Sequence, residues 1–183
     1  MTVPPVQILE TERLILRPPR SEDLEPWIAF SADEETMRHI GGAQARSVAW
    51  RAICSVTGAW TIQGFSMFSV IEKSTGRWVG RLGPWQPADW PGTEVGWALT
   101  RDTWGKGYAT EGAIAAMDYA FDVLGWTEAI HTITPTNHAS QGVARKLGST
   151  LRGRAAMPTP FQNTDFEVWG QTRAQWLARR AAR

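Results

Sequence analysis

The stretch Trp104-Gly105-Lys106-Gly107-Tyr108-Ala109 lies between a short apolar run ending at Leu99 and an Ala-rich segment opening at about Thr110. Strand, glycine loop and helix in that order present several unpaired backbone N–H groups at a helix N-terminus, where the dipole favours an anion. Gly105 and Gly107 allow the backbone to approach a phosphate with no Cβ in the way. Lys106 either adds charge to that phosphate or is a solvated loop lysine. The same glycines would also serve a plain tight turn, so the loop alone does not separate the two uses. His131 and His138 could titrate usefully near neutral pH, although a lone histidine is more often structural. Cys54 is the single cysteine, which excludes an intramolecular disulfide and a cysteine-rich zinc site. No metal is expected.

These residues need a scaffold, and the composition bounds it. A chain of 183 residues is long enough for a single domain with a sizeable core, expected over 1–183. Apolar residues at 43% and charged residues at 20% are the balance of a soluble globular protein. A net charge of +1 gives no general attraction to nucleic acid. No apolar run approaches a membrane span and no secretory leader is visible, so a cytoplasmic protein with no membrane partner is expected. The 11 Trp each need burial and an N–H partner, and several fall near expected loops, where they could line a pocket.

Taken in order, residues 1–9 read as a loose arm and Glu12 to Arg17 as a strand stopped by Pro18-Pro19. Ser21 is an N-cap candidate, with Glu22 and Asp23 in the first turn of a helix reaching about Ser31. Helical segments follow over Asp33–Ile40 and Ser47–Gln63, the second carrying Cys54 toward the core. Phe65–Lys73 and Arg77–Leu82 read as a hairpin about Ser74-Thr75-Gly76, the first of them apolar on both faces. The loop Gly83–Gly92 holds Trp85 and Trp90. A strand Thr93–Leu99, the glycine loop and a helix Thr110–Leu124 come next, with Ile114, Met117, Phe121 and Leu124 as its apolar stripe. Strands at Trp126–Ile133, Thr150–Arg154 and Phe166–Gly170 alternate with a helix from Asn137 to Leu147. A terminal helix from Thr172 frays into the basic tail 179–183. The pattern is mixed α/β around one central sheet.

Four segments in this order resemble the GNAT superfamily of acetyl-CoA-dependent N-acetyltransferases, and within it the ribosomal-protein N-terminal acetyltransferases. They are ETERLILRPPRSEDLEPW, EVGWALTRDTWGKGYATEGA, NHASQGVARKLGS and FEVWGQTRAQW, together spanning about residues 8–178. The resemblance implies a mixed six- or seven-stranded sheet flanked by helices. Two central parallel strands, here Thr93–Leu99 and Trp126–Ile133, would splay to admit the pantetheine arm. The cofactor-binding set it implies is Trp97, Leu99, Trp104, Gly105, Lys106, Gly107, Tyr108, Ala109, Thr110 and Asn137. Trp104 stands where the family has Gln or Arg, which leaves backbone amides to do the gripping.

The same resemblance assigns catalytic roles. Glu94 matches the glutamate that many members use as general base. An amine arrives mostly protonated and only its neutral form attacks a thioester, so a nearby carboxylate is needed to accept the proton. Glu94 could instead be a carboxylate paired with an arginine, and Glu111 is a weaker candidate base. Many members carry a tyrosine acid seven residues after the asparagine, but here that position is Ala144. Ser140 becomes the candidate to protonate the departing thiolate, although Asn137 and Ser140 would also serve as helix-capping residues. The expected reaction is direct attack on acetyl-CoA in a ternary complex, with a protein or peptide α-amine as acceptor and Trp85, Trp90 and Trp97 around it. The alternatives are a small-molecule amine acceptor and a non-catalytic acyl-CoA-binding module. The expected assembly is a monomer or homodimer.

Overall fold

The computed structural model describes residues 7–182, and an eight-stranded mixed sheet organises them. The strands are β1 (Leu9–Glu10), β2 (Leu14–Arg17), β3 (Phe68–Glu72), β4 (Trp78–Trp85), β5 (Glu94–Leu99), β6 (Glu128–Ile133), β7 (Thr150–Arg154) and β8 (Glu167–Thr172). Their order across the sheet is β1-β2-β3-β4-β5-β6-β8-β7. Every neighbouring pair is antiparallel except β5 and β6. The helices are α1 (Leu24–Ala32), α2 (Glu34–Met37), α3 (Arg46–Gln63), α4 (Tyr108–Asp118), α5 (His138–Leu147) and α6 (Arg173–Ala181). Among the described residues no helix is long and apolar enough to cross a membrane.

The eighth strand is the two-residue β1, which pairs Leu9 with Leu16 and Glu10 with Ile15. The loose arm expected over 1–9 therefore has its last residue in the sheet, and residues 1–6 lie outside the described ones. β4 runs on to Trp85, three residues past the expected end. Its partner β3 stops opposite Leu82, and beyond that point only β5 remains beside it, opposite Pro84. A strand tolerates proline where one side has no neighbour to receive its missing N–H. The basic tail is helical as far as Ala181, because Arg180 bonds Asp118 and Asp122 and Arg179 donates to the Lys146 carbonyl.

Packing on one side of the sheet is set by small residues. The buried face of α4 and the turn after it is Gly112, Ala113, Ala116, Met117, Ala120 and Phe121, whereas Ile114 and Leu124 are only partly buried. The expected stripe is thus rotated, since small side chains let the helix sit close on the strands. A Cβ at Gly112 would come within 3.0 Å of Leu82 Cδ1. On the other side, Trp27, Phe30, Met37, Ile53, Met67 and Trp78 form a second core under α1, α2 and α3. Cys54 does not join it and is exposed on α3.

Asp23 anchors α1 to the sheet instead of serving the helix dipole. Its carboxylate accepts two bonds from Arg17 at 2.7 and 2.9 Å, one from Ser69 at 2.7 Å and one from the Arg20 amide at 2.9 Å. Asp23 is 1% exposed. Removing one partner of such a buried pair costs about 3–5 kcal/mol. This clamp fixes where α1 and α2 sit, and hence one wall of the cavity described next.

Candidate active site

β5 and β6 run parallel but pair only at Glu94 and Ile130, where Ile130 N–H donates to Thr93 O at 2.9 Å. Past that point side chains replace the ladder. Thr132 N–H donates to Glu94 Oε1 at 3.0 Å, and the Thr132 hydroxyl lies 3.0 Å from both carboxylate oxygens. The Trp90 indole N–H donates to Glu94 Oε2. On the β6 side, His131 Nδ1 lies 2.7 Å from Val95 O. A carbonyl can only accept, so Nδ1 carries the proton and Nε2 receives the Ser149 hydroxyl at 2.9 Å. The Ser149 oxygen is in turn held by Gln171 Nε2 at 2.9 Å. Burial lowers the His131 pKa to about 4, so the ring is neutral and acts as a brace between the strands.

Glu94 is 5% exposed and lines a cavity of about 270 Å³. Burial pushes its carboxyl above the ordinary carboxylate range. Hydrogen bonds from Thr132 and Trp90 and the charge of Arg81 oppose that shift without cancelling it. Its hydrogen-bond partners are tryptophan and threonine, not the arginine that a purely structural carboxylate would have. Trp85, Trp90 and Trp97 all line the same cavity. Trp85 and Trp90 meet edge to face at 6.5 Å, and Trp90 meets Phe161 at 6.2 Å. Phe161 and Phe166 come from the segment between β7 and β8.

Ser140 and Asn137 reach the cavity from the start of α5. Asn137 Oδ1 accepts the Ser140 N–H at 3.1 Å, so this oxygen does cap the helix and the amide nitrogen takes no part in the cap. Ser140 Oγ accepts the Trp97 indole N–H at 3.2 Å. With one lone pair engaged by Trp97, Ser140 keeps its hydroxyl proton free to donate to a neighbour. Glu111 is outside the cavity. It is held by Thr11 at 2.6 Å and by the Arg13 amide and side chain at 2.8 and 2.6 Å. His138 is exposed and sits 3.3 Å from Gln141 Oε1, also outside.

The glycine loop turns through two left-handed residues before α4 begins. Gly105 and Gly107 have φ of 75° and 83°, the left-handed region that glycine adopts freely. A Cβ at Gly105 would meet nothing within 4 Å. Gly107 has no side chain to cap α4, and the Glu111 amide donates to Gly107 O at 3.0 Å. The amides ahead of it, including those of Tyr108 to Thr110, are the ones a helix leaves for a ligand. Trp104 is 46% exposed, and its indole N–H donates to Leu99 O at 2.8 Å. Leu99 itself is a core side chain. Tyr108 is buried, with its hydroxyl donating to Glu72 at 2.7 Å, so it contributes backbone to the loop and not its phenol. Lys106 is exposed, and its carbonyl accepts from Arg13 at 2.9 Å.

The family profile described as Acetyltransferase (GNAT) domain matches residues 13–150. The chain belongs to the GNAT acetyltransferase family. It is an acetyl-CoA-dependent N-acetyltransferase, and its eight-stranded sheet is the fold of that family. An acetyltransferase from Agrobacterium tumefaciens superposes with a TM-score of 0.82 at 29% identity, covering 92% of this chain and 95% of that one. FsC-acetyl coenzyme A-N(2)-transacetylase of Aspergillus fumigatus is 29% identical over 97% of this chain and 81% of its own length. The protein YkkB of Bacillus subtilis is 37% identical, but the match spans only 46% of this chain and 51% of YkkB.

Three cavity residues of this acetyltransferase escape a sequence reading. Thr132, which gives Glu94 two kinds of hydrogen bond, is the single threonine of β6 and carries no local signal. His39 reaches the cavity through Thr134 Oγ1 at 2.9 Å from its Nδ1, a contact between segments far apart in the chain. Arg81 lies in a strand otherwise read only for its apolar residues. The signal that could have found it is register, since a charged side chain on a central strand needs a reason to face inward.

Proposed function

We propose that the acetyltransferase passes the acetyl group of acetyl-CoA directly to a primary amine held in the cavity, with Glu94 as base and Ser140 as acid. The observation that carries this is the convergence of both groups on one cavity, Glu94 from β5 and Ser140 from α5. The amine nitrogen attacks the thioester carbonyl and gives its proton to the Glu94 carboxylate. As the carbon–sulfur bond breaks, the sulfur takes the Ser140 hydroxyl proton, which solvent restores. The amides of Gly105 to Thr110 hold the pyrophosphate, and the splay between β5 and β6 receives the pantetheine arm, with Trp97 and Asn137 beside it.

For the acceptor, an α-amine is the preferred reading, and the four sequence blocks support the N-terminal acetyltransferase branch. The aromatic wall suits an apolar group beside the amine better than a polycation. The cavity volume of about 270 Å³ favours a second form of this reading, a small free amine of roughly one residue's size. Thiol release from acetyl-CoA against short peptides, free amino acids and spermidine tests the assignment. Acetylation at α-amines with little activity on spermidine is expected. Efficient turnover of spermidine with no α-amine acetylated across a diverse panel would overturn it.

A further inference from the structure

The cavity holds a second charge that acetyl transfer does not use. Arg81 stands on β4 opposite Ala98, on the face that also carries Trp85 opposite Glu94. A guanidinium offers five N–H donors. The Arg81 partners are Met67 Sδ at 2.9 Å, a weak acceptor, and the face of the Trp27 ring at 5.4 Å. Among the described residues no carboxylate stands within salt-bridge distance of it, Glu94 included. Arg81 is enclosed by the protein yet opens onto the cavity, where it stays cationic at neutral pH with its pKa lowered by burial to about 10. Glu94 acts on this charge only across the cavity, and a buried charge with no ion-pair contact is costly to the fold, a cost that a ligand anion in contact would offset.

Arg81 and Glu94 therefore present opposite charges to one space without touching each other. Gly83 and Gly96, paired across the two strands between them, place no side chain in the gap. A Cβ on Gly96 would lie 3.0 Å from Met67 Cε and 3.5 Å from Glu94 Oε1, inside that gap. The arrangement is complementary to a molecule with an amine at one end and an anion at the other. The planar guanidinium fork matches a carboxylate, and the tryptophan and phenylalanine rings match an apolar body.

We propose that the acceptor is a compact amine bearing a carboxylate and an apolar side chain, an apolar free amino acid in size and charge, with Arg81 holding the carboxylate. The proposal takes the fate of the amine from the acetyl-transfer reading, whereas the carboxylate site stands on Arg81 itself. It also accounts for the poor match to polyamines, since Arg81 repels a second cationic centre.

Calorimetry on the CoA-loaded enzyme tests the site with phenylalanine, tryptophan, leucine and methionine, each against its amide and the amine lacking the carboxyl. At least one acid should bind about 10- to 100-fold more tightly than its amide, the range of a hydrogen bond to a charged group. Arg81→Met should erase that difference and Arg81→Lys should keep part of it, with thermal melts confirming that both variants fold. The comparison of acid with amide in the unaltered enzyme does not depend on either variant. No acid bound, amides bound as well as acids, or an acid preference that survives Arg81→Met would each overturn the proposal. Arg81-dependent binding of an acid with no thiol released from acetyl-CoA would leave the carboxylate site standing and sink the acetyl-transfer assignment instead.

Discussion

Replacing Glu94 by Gln keeps the shape of the side chain and removes its charge, so it separates the chemistry of this position from its packing. In the structure Oε1 receives the Thr132 amide and Oε2 receives the Trp90 indole, with the Thr132 hydroxyl shared between them. A carboxamide has one oxygen. In either orientation it satisfies one of those two N–H donors and turns its own NH2 against the other. One unmet buried donor costs about 1–3 kcal/mol. Against this, the raised pKa means that the ionised carboxylate is held at a cost in the folded state, and Gln removes it. The opposed contributions leave the expected change in stability within about 2 kcal/mol. Loss of a general base is worth about 10²–10⁴ in rate, or roughly 3–5 kcal/mol of barrier. Turnover should therefore collapse while the melting temperature and CoA affinity change little. The pH dependence supplies an independent check. A carboxyl raised on folding stabilises the protein below its unfolded pKa, and that contribution is lost as pH rises through the folded one. Activity runs the other way, since the base must be ionised, so the enzyme should lose rate as pH falls through the raised Glu94 pKa. Thiol release at saturating acetyl-CoA, followed from acid to mildly alkaline pH, reads the activity, and denaturant titrations over the same range read the stability. In Glu94→Gln the limb due to Glu94 should vanish, leaving the slope set by the amine's own deprotonation. Full turnover with an unchanged pH profile in the variant would refute the base assignment.

Three further outcomes follow from the same geometry. Ser140→Ala removes the hydroxyl proton and the acceptor of the Trp97 N–H, so kcat should fall by about 10²–10⁴ with acetyl-CoA affinity retained, and an unchanged kcat would remove Ser140 from the mechanism. Gly107→Val forces a β-branched residue to a φ of 83° in the loop, which should cost about 1–2 kcal/mol in stability and weaken CoA binding. Unchanged CoA affinity by calorimetry would count against the phosphate placement. His131 titrates near 4 when folded and 6.5 when unfolded, so its link to stability is absent above 6.5 and destabilises progressively as pH falls toward 4. In denaturant titrations the enzyme should lose stability more steeply than a His131→Gln variant as pH falls across that window, on top of a pH-independent offset from the bonds His131 makes.

Much of this was readable because periodicity and turn residues speak for themselves. The hairpin of β3 and β4, the strand pair β5 and β6 and the glycine loop between strand and helix all lie where their residues put them. The errors have physical causes. β1 is two residues long, too short for any alternation to register. Counting large apolar residues placed the stripe of α4 one step around the helix, because Gly112, Ala113 and Ala116 contribute by closeness and not by bulk. Pro84 read as a loop residue until the end of β3 removed the neighbour it would have offended. At the site, Glu94 and Ser140 were legible as types at recognisable positions. Arg81, Thr132 and His39 were not, because their significance comes from pairings across strands and segments that no local window contains.

The cavity divides the chain into parts that can change independently. The groups proposed to carry acetyl transfer, Glu94 and Ser140, stand on β5 and at the start of α5. Much of the surrounding wall comes from elsewhere, with Trp27 and Phe30 on α1, Met37 on α2, Val56 on α3 and Phe161 beyond β7. Substitutions in those walls can reshape the space around an acceptor without disturbing β5 or α5. An enzyme built this way can vary the apolar part of its acceptor site by drift in its first third and one late loop, apart from Arg81, Trp85 and Trp90 on β4 and the loop after it. For engineering, the same partition marks where a library for a new amine belongs, in α1 to α3 and the Phe161 segment, with β5 and α5 left untouched.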